Sequence, residues 1–344
     1  MKGRSLFAIL SAVALLGAAT STSADVRHTV KCDDGHSLQQ ALDRADGYAG
    51  FVSIAVSGRC EESVTIIRDR IEIVGDGNTV ISGTVRVFAA DNVSFSDLTI
   101  TGPGDGLLIH NSRVRLFDVR LIGNEGAGIS LDQGGALWMN GGEVSANAAT
   151  GAQIRGSYAK FLNTQVTGNS GSGISATGRA TVHLEGGAVS HNDAHGIDTT
   201  FSSALFLSGT ELSKNGAVGG YGAYFGHGSS GEMQSVTITE NGGEGVEAYA
   251  NSSVSINGGS IFANDHNGVS LGFGSVATLR DVQISANIAT GVTLWAGSGL
   301  FVYGDSDIPP NGSGWSVDCD GKESSLRVHD AASVPAINCS DPEF

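Results

Sequence analysis

The stretch SHNDAHGIDTTF, residues 190–201, brings together side chains that could perform acid–base chemistry or bind a metal. His191 and His195 are four residues apart, which on a helix would place both imidazoles on one face for zinc. Asp198 follows closely and adds a carboxylate that could act as an acid or a base. The chemistry therefore depends on whether this stretch is a helix or a turn.

An asparagine closes a short β-prone run at nearly constant intervals along the chain. The two residues that lie five and seven places after it are almost always apolar, as with Ile129 and Leu131, and this alternation is typical of a strand. Two further alternating runs precede each asparagine, so each period predicts three short strands. The repeated residues are Asn124, Asn147, Asn169, Asn192, Asn215, Asn241, Asn264 and Asn287.

This repeat predicts an all-β protein, a single-stranded right-handed parallel β-helix with three short strands per coil of ~23 residues. Each coil would add one strand to each of three sheets and stack its inward side chains on the next coil. Glycine-rich corners and the lack of a sustained helical period favour this β-solenoid over alternating strands and helices. His191 and His195 then lie on a turn, which disfavours the zinc interpretation.

In its run of Asn-x-x-x-Gly followed by alternating apolar residues, as in NEGAGISL (124–131) and NDAHGIDT (192–199), the chain resembles the right-handed parallel β-helix repeat proteins of the pectin-lyase-like class. The resemblance covers residues 32–344. It implies the fold but not one activity, because lyases, hydrolases, epimerases, phage spikes and adhesins share that fold. The Asp-Pro-His motif of alginate epimerases has only a loose counterpart in DAHGID.

The ends of the chain differ from the repeat and predict four segments. Residues 1–24 read as a signal peptide for export to the periplasm or the medium. Residues 25–60 are expected to form an N-terminal cap with an amphipathic helix, capped by Asp33 or Asp34. Coils are expected over 61–297 and a C-terminal cap over 298–344.

The four cysteines occur as one pair near each end, Cys32 with Cys60 and Cys319 with Cys339. In an oxidising compartment the simplest arrangement is one disulfide per end, although four cysteines permit three pairings. The long middle of the chain contains no cysteine.

The formal net charge of −16 indicates an acidic surface. Such a surface would repel nucleic acid and anionic lipid, so we expect neither as a partner. No apolar segment is long enough for a membrane span. An acidic polysaccharide would also be repelled, unless a cation bridged it or basic residues were gathered locally. We expect the slender acidic rod to be a monomer.

The position six residues after each asparagine should point outward, and the equivalent position after Asn215 is three residues later because of an insertion. Three consecutive coils place Asp198, Tyr224 and Glu247 at this outward position. Strands in a sheet lie about 4.8 Å apart, so the two carboxylates should be about 9 to 10 Å from each other. The only long interval in the repeat inserts three residues within GAVGGYG, just before Tyr224. An inserted loop beside a polar strip suggests a groove wall.

Neighbouring corners and outward positions supply further candidates for a polysaccharide site. His195 is a candidate for catalysis, and five more residues are candidates for substrate binding. These are Arg155, His227, Tyr249, Glu244 and His266.

Several chemistries remain open for this strip. Tyr224 and a histidine could act as acid and base, or Asp198 and Glu247 could be the two carboxyls of an inverting glycosidase. Calcium could bind among Asp198, Glu244, Glu247 and Asp265. The strip could equally be an ordinary solvated strand face. The sequence thus predicts a protein that binds or processes a polysaccharide, or else a non-catalytic β-solenoid with a glycan-binding, adhesive or structural envelope role.

Overall fold

The chain forms a parallel β-helix in which the backbone winds through successive coils that hydrogen-bond to one another. A computed structural model describes residues 26–320, 323–329 and 332–339, so the predicted signal peptide lies outside the described residues. Two parallel sheets run along the coils, one of 21 strands and one of 13 strands. We call them sheet A and sheet B.

Sheet B receives one strand from each coil, which gives 13 coils over the described residues. Its inward residues are the predicted apolar pairs, and Ile129, Ile197 and Val246 are fully buried. In chain order its strands are Val64–Ile66, Val85–Phe88, Leu107–His110, Ile129–Asp132, Ala152–Arg155, Ile174–Thr177, Ile197–Thr200, Ala223–Phe225, Val246–Tyr249, Val269–Gly272, Val292–Trp295, Val317–Asp320 and Ile337–Asn338.

Sheet A holds the strands from the other two faces of the coils, and these strands form its two arms. Three separate sheets were expected, but long strands such as Ser230–Thr239 run through the corner and join the two arms into one sheet. Its strands are Val26–Lys31, Val52–Ser57, Arg59–Cys60, Ile71–Ser82, Val93–Thr101, Arg113–Phe117, Arg120–Ile122, Ala136–Asn140, Glu143–Ser145, Tyr158–Leu162, Gln165–Thr167, Thr181–Glu185, Ala188–Ser190, Ala204–Ser208, Glu211–Ser213, Ser230–Thr239, Ser253–Phe262, Val276–Arg280, Gln283–Ser285, Gly299–Tyr303 and Ser325–Val328.

The corner between the two arms needs a left-handed backbone. Gly186 and Gly187 occupy it in one coil with φ of 66° and 72°, which glycine adopts without steric cost. A Cβ on Gly187 would also collide with the Thr164 carbonyl of the preceding coil. Sharp corners of this kind let short strands lie on different faces of one coil.

The asparagine ladder is confirmed, and it is one rung longer than the sequence predicted. Each side-chain amide donates to the amide oxygen of the next asparagine at 2.8 to 3.1 Å, from Asn124 through Asn287 to Asn311. These buried amides also donate to main-chain carbonyls of the preceding coil. The ladder satisfies polar groups that burial at the corner would otherwise leave unpaired.

A second polar stack runs along another corner and was not predicted. The main-chain N–H of Ser203 donates to the Ser229 hydroxyl, that of Ser229 to Ser252, and that of Ser252 to Ser275. All four serines are buried. Two corners of the coil are therefore held by stacked side chains, which makes the scaffold under sheet B regular.

The N-terminal helix extends over Leu38–Ala45 and buries Leu38, Ala41, Leu42 and Ala45. The expected capping residue was wrong: Ser37 caps the helix, and its hydroxyl oxygen accepts the Gln40 N–H. Asp33 instead accepts the Arg59 N–H, because residues 32–34 form a separate short turn. Whether the helix acts as a cap of the solenoid remains a prediction.

The two disulfides join Cys32 to Cys60 and Cys319 to Cys339, which resolves the three possible pairings. Both bonds are consistent with export to an oxidising compartment. In the predicted C-terminal cap, Gly299–Tyr303 still pairs with Val276–Arg280, so the sheets continue into this segment. Among the described residues, no helix has the length and apolar character needed to cross a membrane.

Candidate functional site

Asp198, Tyr224 and Glu247 lie side by side on sheet B, as the register of the repeat predicted. Asp198 pairs with Tyr224 and Tyr224 pairs with Glu247, on three consecutive strands. All three side chains are half-buried and point outward, because the residues on either side of each face the core. We call these three residues the acidic strip.

His195 is held against the strip by the inserted loop. The main-chain N–H of Tyr221 donates to His195 Nδ1 at 3.1 Å. The two rings are stacked, with centroids 4.7 Å apart and planes within 7°, and Tyr224 stacks on His195 at 5.7 Å. Because Nδ1 accepts a hydrogen bond, the neutral imidazole carries its proton on Nε2.

Tyr221 is the residue that sequence reasoning missed. It belongs to the inserted stretch GAVGGYG, which was recognised as a groove wall without a role for its tyrosine. Gly216 and Gly220 approach so closely that a Cβ on either would collide with the other, so the insertion folds into a tight loop. The three extra residues could have signalled that Tyr221, rather than the usual corner residue, flanks His195.

Glu247 lies in an environment that favours its protonated form. Burial and the neighbouring carboxylate of Glu244 raise the pKa of Glu247 from an ordinary value near 4.5 to about 7. The Tyr221 hydroxyl, within hydrogen-bonding reach, and His266 oppose this rise. Glu247 can therefore carry a proton at neutral pH.

Asp198 has a different balance of neighbours. Burial raises its pKa, but His195 and a hydrogen bond with Ser175 both act to lower it. No second carboxylate contributes to that balance among the described residues. Asp198 is thus the carboxyl of the pair that more readily stays ionised.

The aromatic side chains of the site are neutral near pH 7. Burial and Glu247 raise the pKa of both Tyr221 and Tyr224, so each keeps a hydroxyl proton that it can donate. Burial lowers the pKa of His195, although Asp198 partly offsets this effect. The site therefore offers neutral hydrogen-bond donors between two carboxyls.

Glu244 and His266 contact each other behind Glu247. Glu244 is buried, and its Oε1 lies 2.8 Å from His266 Nδ1 and 3.3 Å from Asn267 Nδ2. Both partners hold this carboxylate in place. Glu244 consequently acts on Glu247 through its charge, which disfavours a second anion nearby.

The predicted binding residues Tyr249 and His227 join other aromatic side chains. Tyr249 meets Phe273 edge-on at 4.9 Å, and Phe273 meets Trp295 edge-on at 4.8 Å. His227 stacks on the exposed ring of Phe201 at 4.9 Å. Tyr249 thus extends the face of the strip toward later coils, whereas His227 belongs to a corner.

Arg155 lies away from the centre of the strip. It is exposed, pairs with Thr177, and is two strands from Thr200 at the end of the Asp198 strand. In the part of the chain that the structure describes, no group of three or more His, Cys, Asp or Glu side chains could hold a metal ion. The described residues therefore provide no preformed site for the calcium that the sequence left open.

These coils define the class of protein: it is a parallel β-helix protein with a polar strip on one exposed sheet. Residues 150–307 match the family described as the right handed beta helix region, which spans the acidic strip and its aromatic neighbours. Comparison with curated protein sequences finds no significant match.

The chain is similar to several solved structures, among them an epimerase module, a phage receptor-binding protein and a surface adhesin. The mannuronan C-5 epimerase AlgE6 A-module of Azotobacter vinelandii is 16% identical, with 91% of this chain and 98% of that chain covered and a TM-score of 0.46. The receptor-binding protein of bacteriophage Det7 is 10% identical, with 92% and 76% covered and a TM-score of 0.42. PfbA, a surface adhesin of Streptococcus pneumoniae, is 11% identical, with 85% and 92% covered and a TM-score of 0.36.

Proposed function

We propose that the protein hydrolyses a neutral polysaccharide with inversion at the anomeric carbon, using the acidic strip as its active site. Glu247 is the proton donor to the leaving oxygen, and Asp198 is the base that activates water. The observation that carries this proposal is the placement of two half-buried carboxyls on one outward column, with a single tyrosine strand between them.

The spacing of the carboxyls suits an inverting reaction. Two strand separations amount to about 9.5 Å at the backbone, at the upper end of the range that leaves room for both the sugar and the attacking water. A retaining enzyme needs its carboxyls much closer, at about 5 to 5.5 Å. Adjacent strands would provide that shorter distance, but the intervening strand carries Tyr224.

The different surroundings of the two carboxyls assign their roles. Glu247, with a pKa of about 7, can enter the reaction protonated at neutral pH, as a general acid must. Asp198 has His195 and Ser175 to support its anionic form. Tyr221 and Tyr224 lie beside the carboxyls and can donate hydrogen bonds to sugar hydroxyls.

Proton abstraction from a uronate is less well supported. That chemistry requires neutralisation of the substrate carboxylate, but among the described residues no lysine or arginine contributes to the pKa of Asp198 or Glu247. His195 also uses Nδ1 to accept the Tyr221 N–H, so its remaining nitrogen is a donor rather than a base. The carboxylates of Asp198 and Glu244 would further repel an anionic sugar.

A second candidate is glycan binding without turnover. The aromatic group Tyr249, Phe273 and Trp295 favours it, because aromatic rings beside the strip provide apolar surface for sugar rings. Export, as residues 1–24 predict and the disulfides allow, would bring either function to polysaccharides outside the cytoplasm.

The test is a screen of the purified protein against neutral and uronate polysaccharides, with and without calcium. We expect new reducing ends from a neutral glycan, and proton NMR during the first turnovers should show the anomer opposite to that of the substrate. Unsaturated products, or retention of configuration, would contradict the assignment. Saturable binding without any product would instead support the second candidate.

A further inference from the structure

A second face of the molecule combines basic and aromatic side chains, on sheet A and away from the acidic strip. On three consecutive strands, Arg115 pairs with Trp138, and Trp138 pairs with Lys160. Beside this column, Arg113 pairs with Ala136, and Ala136 with Tyr158. Basic residues are thus gathered locally on a chain whose formal net charge is −16.

The small side chain of Ala136 leaves an open groove between Arg113 and Tyr158. This groove has a volume of about 400 Å³, and Trp138 and Arg115 line its side. Trp138 is 43% exposed and Tyr158 is 41% exposed, so both rings present apolar surface to a ligand. We call this site, defined by Arg113, Arg115, Ala136, Trp138 and Tyr158, the basic groove.

The two arginines differ in how far their charge is compensated. Arg113 Nη1 contacts Asp91 Oδ2 at 3.0 Å, and both side chains are largely exposed. Arg115 Nη1 donates to the neutral amide oxygen of Asn92 at 3.2 Å, and no carboxylate pairs with it among the residues that the structure describes. Two guanidinium groups therefore face one carboxylate, which leaves the groove positive.

We propose that the basic groove binds an anionic saccharide segment, with Arg113 and Arg115 contacting its acidic groups and Trp138 and Tyr158 packing against its rings. Guanidinium groups bind carboxylate and sulfate through paired hydrogen bonds, and Arg113 keeps donors that its contact with Asp91 does not use. Exposed aromatic rings bind the apolar faces of sugars. A neutral saccharide would leave the arginine charges unmatched.

The positive charge of this face is confined to the two arginines. Lys160 is neutralised by Glu185 at 2.6 Å, and the next residue along this column, His183, stacks on Phe206 at 4.4 Å. The ligand is therefore expected to centre on Arg115 and Trp138. This inference does not depend on the hydrolysis proposed for sheet B.

The test measures binding by isothermal titration calorimetry with the full exported chain. The probes are polygalacturonate, which carries carboxylates, dextran sulfate, which carries sulfates, and neutral dextran. Wild-type protein should bind polygalacturonate, and Arg115→Gln should weaken that binding about ten-fold or more. Trp138→Ala should weaken it roughly 3- to 10-fold through lost ring packing.

Two matched variants separate this site from other effects. Arg86→Gln removes an arginine from an outward position of sheet B and should bind polygalacturonate like the wild type. Glu247→Gln should also bind polygalacturonate like the wild type, whether or not the wild type hydrolyses a glycan. A failure of the hydrolysis proposal would therefore leave the binding proposal standing, and the reverse also holds. If Arg115→Gln weakens the binding of dextran sulfate as much as it weakens the binding of polygalacturonate, the groove accepts either sulfate or carboxylate.

Two results would overturn the proposal. One is unchanged polygalacturonate binding in the Arg113→Gln/Arg115→Gln double variant, with folding verified by circular dichroism. The other is binding of neutral dextran as tight as that of polygalacturonate.

Discussion

The acidic strip and the basic groove lie on similar parallel strands, yet they place opposite charges in their outward columns. The strip surrounds Asp198 and Glu247 with neutral donors and a further carboxylate, so its groups are pushed toward their protonated forms. The groove exposes two arginines beside exposed rings. Under the two proposals, the same scaffold would carry one site for proton transfer and one site for binding an anion.

The difference shows how little the β-helix constrains its outward residues. Inward residues must fill the core, but each outward position contacts its strand neighbours, nearby loops and solvent, where many side chains fit. Charges on neighbouring strands are about 4.8 Å apart, close enough to shift a pKa or to bind one ligand together. The function of a face is therefore decided by columns of residues about one coil apart in the chain.

Removing the proton donor should have the largest effect. Glu247→Gln should lower hydrolysis by about 10²- to 10⁴-fold, the usual contribution of general acid catalysis. The measurement is kcat/KM from reducing-end release. The control Glu232→Gln makes the same chemical change at an outward position of sheet A. A comparable loss of kcat/KM in this control would show that the effect is not specific to the acidic strip.

The pH dependence of stability should also separate the strip from the groove. Because the pKa of Glu247 is about 7 in the folded chain and near 4.5 when unfolded, the folded state binds more protons between these values. The free energy of unfolding should consequently fall as pH rises through that window.

Glu247→Gln should remove this loss, making the variant more stable than the wild type at pH 8 by about 1–2 kcal/mol, after allowance for partial exposure. Urea denaturation at pH 4 and pH 8 measures it. If the free energies of unfolding of the wild type and the variant differ by the same amount at pH 4 and pH 8, Glu247 does not titrate in this range. Arg115→Gln, the control in the basic groove, should keep the wild-type change in the free energy of unfolding between pH 4 and pH 8.

Salt should affect the two faces unequally. Raising ionic strength from about 0.05 M to 0.5 M should weaken polygalacturonate binding several-fold, because the groove is exposed and screening is strong at these concentrations. Hydrolysis of a neutral glycan should change little under the same conditions. Calorimetry and reducing-end assays measure the two quantities, and an equal response of both would argue against separate sites.

The smallest expected effect tests the inserted loop. Tyr221→Phe removes the hydroxyl that holds down the pKa of Glu247, so this pKa should rise by a fraction of a unit. The alkaline limb of the hydrolysis profile should shift to higher pH with it. Carbon-13 NMR titration of the Glu247 carboxyl provides a direct measurement, and Tyr158→Phe, in the basic groove, is the matched control. A shift to lower pH would contradict the proposed contact.

The repeat made the fold and the register predictable. Alternating apolar residues must face a common interior, so Ile197 and Val246 placed Asp198 and Glu247 outward without any structural information. The asparagine ladder followed from the same period. Asp33 or Asp34 was predicted as the helix cap because both are polar residues ahead of the apolar face. The helix instead begins at Leu38, directly after Ser37, whose hydroxyl oxygen accepts the Gln40 N–H.

The contacts across coils were not predictable in the same way. The basic groove combines Arg113, Ala136 and Tyr158, which are separated by whole coils and belong to an arm whose outward residues follow no repeated motif. Tyr221 lies in an insertion outside the regular spacing. The long interval marks the insertion, but the contacts of both features have no local signal, since a side chain's partners on the next coil depend on how the intervening loop closes.

The sequence by itself determined which residues face the interior and which coils are adjacent, because a fixed period of apolar side chains permits one register. The tertiary structure alone decided the chemistry of the faces. Burial and the charge of Glu244 raise the pKa of Glu247 to about 7, and the folded insertion stacks Tyr221 on His195. The small side chain of Ala136 leaves a groove between Arg113 and Tyr158. Protonation and space depend on every neighbour within a few ångströms, and these neighbours come from different coils.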